Sequence, residues 1–137
     1  MPKRHKTILI SEDEPALAAA LSNQLKRLGY AIIVAKDGVE TIALAKKEKP
    51  DLILLDIIMP RKSGFDVLQE LRGPMHSRVP VLILSNLERQ TDIETARNLG
   101  VIKYLIKANI SLRDIVAEVQ DILAKNSGNS GDKKSSA

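Results

Sequence analysis

The chain has 137 residues, 44% hydrophobic and 28% charged, with a formal net charge of +4; this is the profile of one globular domain of ~100–200 residues, with a core large enough to need no staples. It contains no cysteine, which excludes disulfides and thiolate metal sites and permits a cytosolic compartment. No apolar run approaches the ~20 residues of a membrane span, and aromatics at 2% with no Trp argue against a stacking platform for single-stranded nucleic acid.

Residues 1–6 read as a basic N-terminal arm. They lead into only a short apolar run, ended by Ser11, Glu12 and Asp13, so no signal peptide is expected. That run, Thr7–Ser11, is the first predicted strand. Pro15 suits a first helical position, and Leu17, Leu21, Leu25 and Leu28 form an apolar stripe at helical spacing up to a stop at Gly29. Ala31–Ala35 is the second strand. Asp37 followed by Glu40 marks the next helix start, with Val39, Ile42 and Ala43 as its stripe. Residues 51–55 form the third strand. Ser63 followed by Asp66 opens a helix carrying Phe65, Leu68 and Leu71. Residues 81–84 form the fourth strand, followed by a weaker stripe at Ile93 and Ala96 that ends near Gly100. Residues 102–106 form the fifth. Ser111 and Asp114 then open the clearest stripe: Leu112, Ile115, Val116, Val119, Ile122 and Leu123. From residue 126 onward, NSGNSGDKKSSA reads as a flexible polar tail.

The charge follows the ends. Lys3, Arg4 and Lys6 supply three of the four net positive charges, and Asp132, Lys133 and Lys134 the fourth, so residues 7–125 are neutral overall. A nucleic-acid-binding domain carries its excess on a folded face, and no direct nucleic-acid contact is expected. His5 and His76 read as solvated.

Short apolar, β-branched runs suit strands covered on both faces. Five strands, each followed by a helix, predict an α/β domain over residues 7–125: a doubly wound five-stranded parallel sheet with helices on both faces. In such sheets, sites form beyond the carboxyl ends of the strands.

Glu12, Asp13 and Glu14 follow the first strand, Asp56 the third, Ser85 the fourth and Lys107 the fifth. The second delivers Lys36 and Asp37, read as surface and cap. Each group has an ordinary reading taken singly: acids complement a helix dipole, a Ser sits in a loop, and a Lys is solvated. Their convergence on one rim is harder to dismiss. Asp56 ends the run LILL, where a lone carboxylate is costly unless paired or metal-bound. Three acids crowded into one site suit a hard, oxygen-ligated cation such as Mg2+. The chemistry that fits is metal-assisted phosphoryl transfer to the Asp56 carboxylate, with Lys107 and Ser85 meeting phosphoryl oxygens. The added charge then biases a two-state surface.

The motifs ILISEDEP, DLILLDIIMP with Gly64, VPVLILSN and KYLIKA make the sequence resemble the response-regulator receiver domains of two-component signalling, the CheY-like family, from about Thr7 to Lys125. The resemblance implies strand order 2-1-3-4-5 and a phosphoacceptor at Asp56. It implies Mg2+ held by Asp13, Asp56 and the Ile58 backbone carbonyl, with Glu12 acting partly through water. Ser85 would be the switch hydroxyl, Tyr104 the switch aromatic and Lys107 the phosphate-pairing lysine. It further implies a histidine kinase or phosphotransfer protein as donor, a cytoplasmic setting, and signalling to a downstream protein through the face of the fourth helix, fifth strand and fifth helix. A monomer or weak homodimer, without enzymatic turnover beyond phosphorylation and dephosphorylation of its own Asp56, completes the expectation.

Three positions depart from the family's common pattern: Glu12 in place of Asp, Asn86 beside Ser85 in place of a small residue, and Ala108 after Lys107 in place of Pro. Ile58 and Leu87, which by the family's geometry flank the path of water toward a phosphorylated Asp56, are both apolar. Two rival readings follow. An aspartyl-phosphate hydrolase needs a second Asp two residues after the nucleophile, where Ile58 stands. A phosphorylation-independent interaction or DNA-associated receiver is opposed by Asp56 and Lys107 and left open by Glu12. A nucleotide-binding domain lacks its Gly-rich loop, since SEDEP follows the first strand.

Overall fold

The computed structural model describes residues 5–128. Most of the basic arm and the tail from residue 129 lie outside the described residues. The strands are β1 (Thr7–Ser11), β2 (Ala31–Ala35), β3 (Leu52–Leu55), β4 (Val81–Ser85) and β5 (Lys103–Ile106). The helices are α1 (Pro15–Arg27), α2 (Gly38–Glu48), α3 (Gly64–Arg72), α4 (Gln90–Asn98) and α5 (Leu112–Gly128). A single 3-10 turn, Lys107–Asn109, follows β5. The last helix thus runs to Gly128, past residue 126, where the flexible tail was expected to begin.

All strand pairs are parallel, in the order β2-β1-β3-β4-β5, as expected. The two-residue alternation of the central strands sorts their side chains into two cores. Ile8, Ile10, Leu52, Leu54, Leu82 and Leu84 face α1 and α5, meeting Leu21, Leu25, Ile115, Val119 and Ile122. Leu9, Ile53, Leu55, Val81 and Ile83 face α2, α3 and α4, meeting Ala45, Val67, Leu68, Leu71 and Ala96. Right-handed crossovers produce this two-sided cover.

The helix ends match their sequence signals. Pro15 stands in the first turn of α1. The Asp37 side chain accepts from Glu40 N at the start of α2, Ser63 and Asp66 form a reciprocal capping box, and Ser111 Oγ accepts from Asp114 N at 3.1 Å. Gly29 and Gly100 adopt φ of 98° and 79°, the left-handed stops expected of glycine.

Two expectations need correction. The buried face of α2 is Gly38, Thr41 and Ala45; of the expected stripe Val39, Ile42 and Ala43, only Ile42 packs on the core, and Val39 and Ala43 are exposed. Small residues face the sheet there because Gly38 lies against the Lys62 backbone and the Thr41 hydroxyl reaches Ser11 Oγ at 2.6 Å. In addition, β2 and β5 are covered on both faces only in part: Ile32 and Leu105 pack on one core, and Ile33 and Tyr104 on the other. They are the sheet edges, and Ala31, Val34 and Lys103 are exposed. Among the described residues, no helix is long and apolar enough to cross a membrane.

Candidate functional site

The parallel register brings the ends of β1, β3, β4 and β5 to one rim. Beyond the strands the ladder continues, with Glu12 N donating to Ala35 O at 3.0 Å and Asp56 N to Ser11 O at 3.1 Å. These bonds fix the backbone of Glu12 and Asp56 at the rim, just beyond the last paired residues of β1 and β3. The loop after Asp56 is held tightly. Gly64 N donates to Ile57 O at 2.8 Å, and a Cβ at Gly64 would meet the Asp56 carbonyl oxygen at 2.5 Å. Glycine is required there because backbone passes against backbone.

Glu12, Asp13 and Asp56 each present a carboxylate oxygen within 4.8 Å of the others. Glu12 and Asp56 are buried and Asp13 is exposed. Lys107 enters this cluster from the end of β5. Its Nζ lies 2.8 Å from Asp56 Oδ2, 3.0 Å from Glu12 Oε2 and 3.4 Å from Glu14 Oε1. Backbone amides supply further donors: Ile58 N to Asp56 Oδ1 and Glu14 N to Glu12 Oε2, both at 3.1 Å.

The electrostatics follow from this crowding. Burial pushes the Glu12 carboxyl above its ordinary value, and the bonds from Lys107 and Glu14 N recover only part of that cost. Burial also disfavours the Lys107 ammonium, but its hydrogen bonds and charge attraction to Asp56 and Glu12 outweigh burial and hold its pKa above the ordinary lysine value. An all-oxygen, mostly carboxylate donor set of this size suits a hard divalent cation.

Ser85 closes β4, fully buried, with its Oγ accepting from Leu87 N at 3.3 Å. Tyr104, half-buried on the three-helix core, donates its hydroxyl to the Leu87 carbonyl. Burial and the charges of Asp92 and Asp56 push its phenol up, which keeps the donor protonated. The hydroxyls of Ser85 and Tyr104 therefore grip one residue, Leu87, from its two backbone sides. Asn86 adds a bond of its own: its Oδ1 accepts from Ala108 N at 2.9 Å, tying the loop after β4 to the turn that carries Lys107. Ile58 is 57% exposed beside Asp56, and Leu87 packs on the core.

Each predicted strand-end group thus stands at the same rim, and Glu12, Asp13, Asp56 and Lys107 meet directly. Sequence reasoning placed Glu14 at this rim without a role and missed one feature outright. Glu14 is a third acid on Lys107. Beneath the site, Ser11 Oγ touches both Thr41 Oγ1 and Met59 Sδ, at 2.6 and 3.1 Å, a buried polar link for which neither residue type gives a sequence signal.

Residues 8–120 match the family model for the response regulator receiver domain. The chain is 36% identical over 121 residues to the alkaline phosphatase synthesis transcriptional regulatory protein PhoP of Bacillus subtilis, covering 88% of this chain and 50% of that protein. It spans about half the length of the curated relatives it matches. Among solved structures, the Mn(2+)-bound response regulator Rcp1 is 32% identical with a TM-score of 0.72, covering 85% of this chain and 91% of that one. The CheY-like receiver domain protein of Methanospirillum hungatei is 22% identical with a TM-score of 0.82, covering 92% and 99%, a likeness of fold alone. With the five-stranded order, the acidic rim and these matches in agreement, the chain belongs to the response-regulator receiver domains of two-component systems.

Proposed function

We propose that Asp56 accepts a phosphoryl group from a histidine kinase or phosphotransfer protein in a Mg2+-dependent step, and that the product alters the face built from α4, β5 and α5 to signal to a downstream protein. The observation that carries this reading is the Lys107 ammonium seated 2.8 Å from Asp56 Oδ2 within a cluster of three acids. A carboxylate so placed is a nucleophile with its counter-charges already assembled.

In the transfer, an Asp56 carboxylate oxygen attacks phosphorus. An O–P bond forms, the P–N bond to the donor imidazole breaks, and the imidazole keeps the electron pair and takes a proton. Mg2+ held by Asp13, Asp56 and the Ile58 carbonyl, with Glu12 acting partly through water, would neutralise the converging negative charge. That the related response regulator Rcp1 has a Mn2+-bound form supports a divalent ion in this chain. Lys107 holds a phosphoryl oxygen as a compact cation. The Ser85 hydroxyl, which accepts from Leu87 N, turns to donate its own proton to another phosphoryl oxygen and gives up the Leu87 bond as it moves, and Tyr104, bonded to the same Leu87, follows the loop. A kinase-coupled switch of this kind operates in the cytoplasm. Its only covalent chemistry is on its own Asp56, since Ile58 carries no proton to give a leaving group.

Incubation with acetyl phosphate and Mg2+, read by intact mass, tests the proposal. A stable gain of one phosphoryl group, absent in Asp56→Asn and with EDTA, is the expected result. No gain favours a phosphorylation-independent interaction domain, and continuous phosphate release favours a hydrolase.

A further inference from the structure

The two ends of α4 are held in different ways. This helix buries only Ala96. At its start, Arg89 provides no side-chain cap, and its bond to Asp92 Oδ2 lies at the surface. The residues leading into it are tied down through Leu87, by Ser85 Oγ and the Tyr104 hydroxyl. Both ties belong to the site already described.

The other end is anchored at the opposite rim of the sheet, where Leu99 and Val101 pack on the three-helix core and one side chain binds the backbone. Arg72, the last residue of α3, donates from Nε to Leu99 O at 2.9 Å and from Nη2 to Gly100 O at 3.1 Å. Its Nη1 donates to Ser77 O at 3.1 Å and Val79 O at 2.9 Å. One planar guanidinium therefore joins the α3–β4 loop to the residues that close α4. Gly100 turns left-handed there, and Ile102 N starts the pairing with β4 through Val81 O at 2.8 Å. A lysine has no fork with which to reach two loops in fixed directions.

We propose that Arg72 is a positioning residue that makes the C-terminal end of α4 a fixed pivot. A change of partner at Ser85 then reaches the exposed face of α4, Thr91, Glu94, Thr95 and Asn98, as a tilt about Leu99 and Gly100. Without the clamp the same change would dissipate as loosening of the whole helix. The use of the pivot in signalling rests on the proposed function; the pivot itself does not.

Amide hydrogen exchange on the full chain tests this, in wild type, Arg72→Met and Arg72→Lys, with amides of Leu9 and Leu54 reporting global opening. In the unphosphorylated wild type, Leu99, Gly100 and Val101 are expected to exchange at least ten-fold more slowly than residues 88–91. In Arg72→Met that gap closes by more than any change at Leu9 and Leu54, and Arg72→Lys, which keeps the charge, behaves likewise. If Arg72→Met does not fold, Arg72→Lys alone decides. After acetyl phosphate and Mg2+, the wild type changes at residues 86–93 and not at 99–101, whereas the variants change at both. Equal exchange at the two ends of the wild-type helix overturns the pivot, as does loosening in both variants that merely tracks Leu9 and Leu54. If wild type takes up no phosphoryl group, the proposed function fails, and the unphosphorylated comparison still decides the pivot.

Discussion

At the scale of single residues, the site is a balance of desolvated charges. Glu12 reaches Lys107 at 3.0 Å while also accepting from Glu14 N, so the longer acid is a working partner in the rim. Asn86, the second departure from the family's common pattern, stabilises the lysine-bearing turn through Ala108 N. The two apolar positions flanking Asp56 and Ser85 bear on lifetime. Ile58 is exposed and Leu87 half-buried, and neither side chain can orient a water toward a phosphorylated Asp56. Ile58→Asn combined with Leu87→Glu is expected to speed dephosphorylation several-fold, followed as decay of the phosphorylated mass. An unchanged decay would show that these positions do not govern the water.

At the scale of elements, the loop between β3 and α3 sets the position of Asp56. Its end is fixed by the Ser63–Asp66 capping box and its width by the close pass of Gly64 against Asp56 and Ile57. Ser63→Ala removes one side of the box and is expected to cost about 1 kcal/mol in urea unfolding. Gly64→Ala forces backbone apart and is expected to cost about 1–3 kcal/mol. It should also slow acetyl phosphate uptake, because the displaced atoms belong to Asp56 and its neighbour. Ser63→Ala should leave uptake near wild type. Equal uptake in the two variants would place the constraint elsewhere.

At the scale of the whole molecule, the acidic rim is expected to link stability to cation and proton. An ion bound only by the folded chain at ten times its Kd stabilises by about 1.4 kcal/mol, roughly 4–6 °C in Tm for a domain of this size. Mg2+ is expected to give such a rise in wild type and not in Asp13→Asn, each measured against its own ion-free Tm; an equal rise in both would remove Asp13 from the metal site. The proton effect has a definite sign. Glu12 is raised above its ordinary 4.5, so its contribution is fully present below that pH and is lost as pH rises through the raised value. Without divalent ions, Glu12→Gln should therefore gain stability relative to wild type as pH rises past about 4.5, measured by urea midpoints. A constant difference across that range would contradict the raised carboxyl. Lys107, held above its ordinary 10.5, contributes throughout neutral pH and loses its contribution only in strong alkali.

Much of this was legible in the chain because it is written in local terms. Apolar runs of four or five residues, caps such as Ser63–Asp66 and glycines such as Gly29 and Gly100 act within a few positions. Parallel connectivity then obliges the strand ends to share one rim, so Glu12, Asp13, Asp56, Ser85 and Lys107 could be expected together. What only the tertiary structure decided are contacts between segments distant in sequence. How far a residue of an edge strand, such as Val34, stays exposed depends on the neighbours that pack beside it. The inward face of α2 was set by Thr41 meeting Ser11 rather than by hydrophobic spacing. The grip of Arg72 on Leu99 and Gly100 joins segments with no shared local pattern. Local rules govern a residue's own backbone and its nearest turn, whereas packing energies depend on partners that the chain meets only once it is folded.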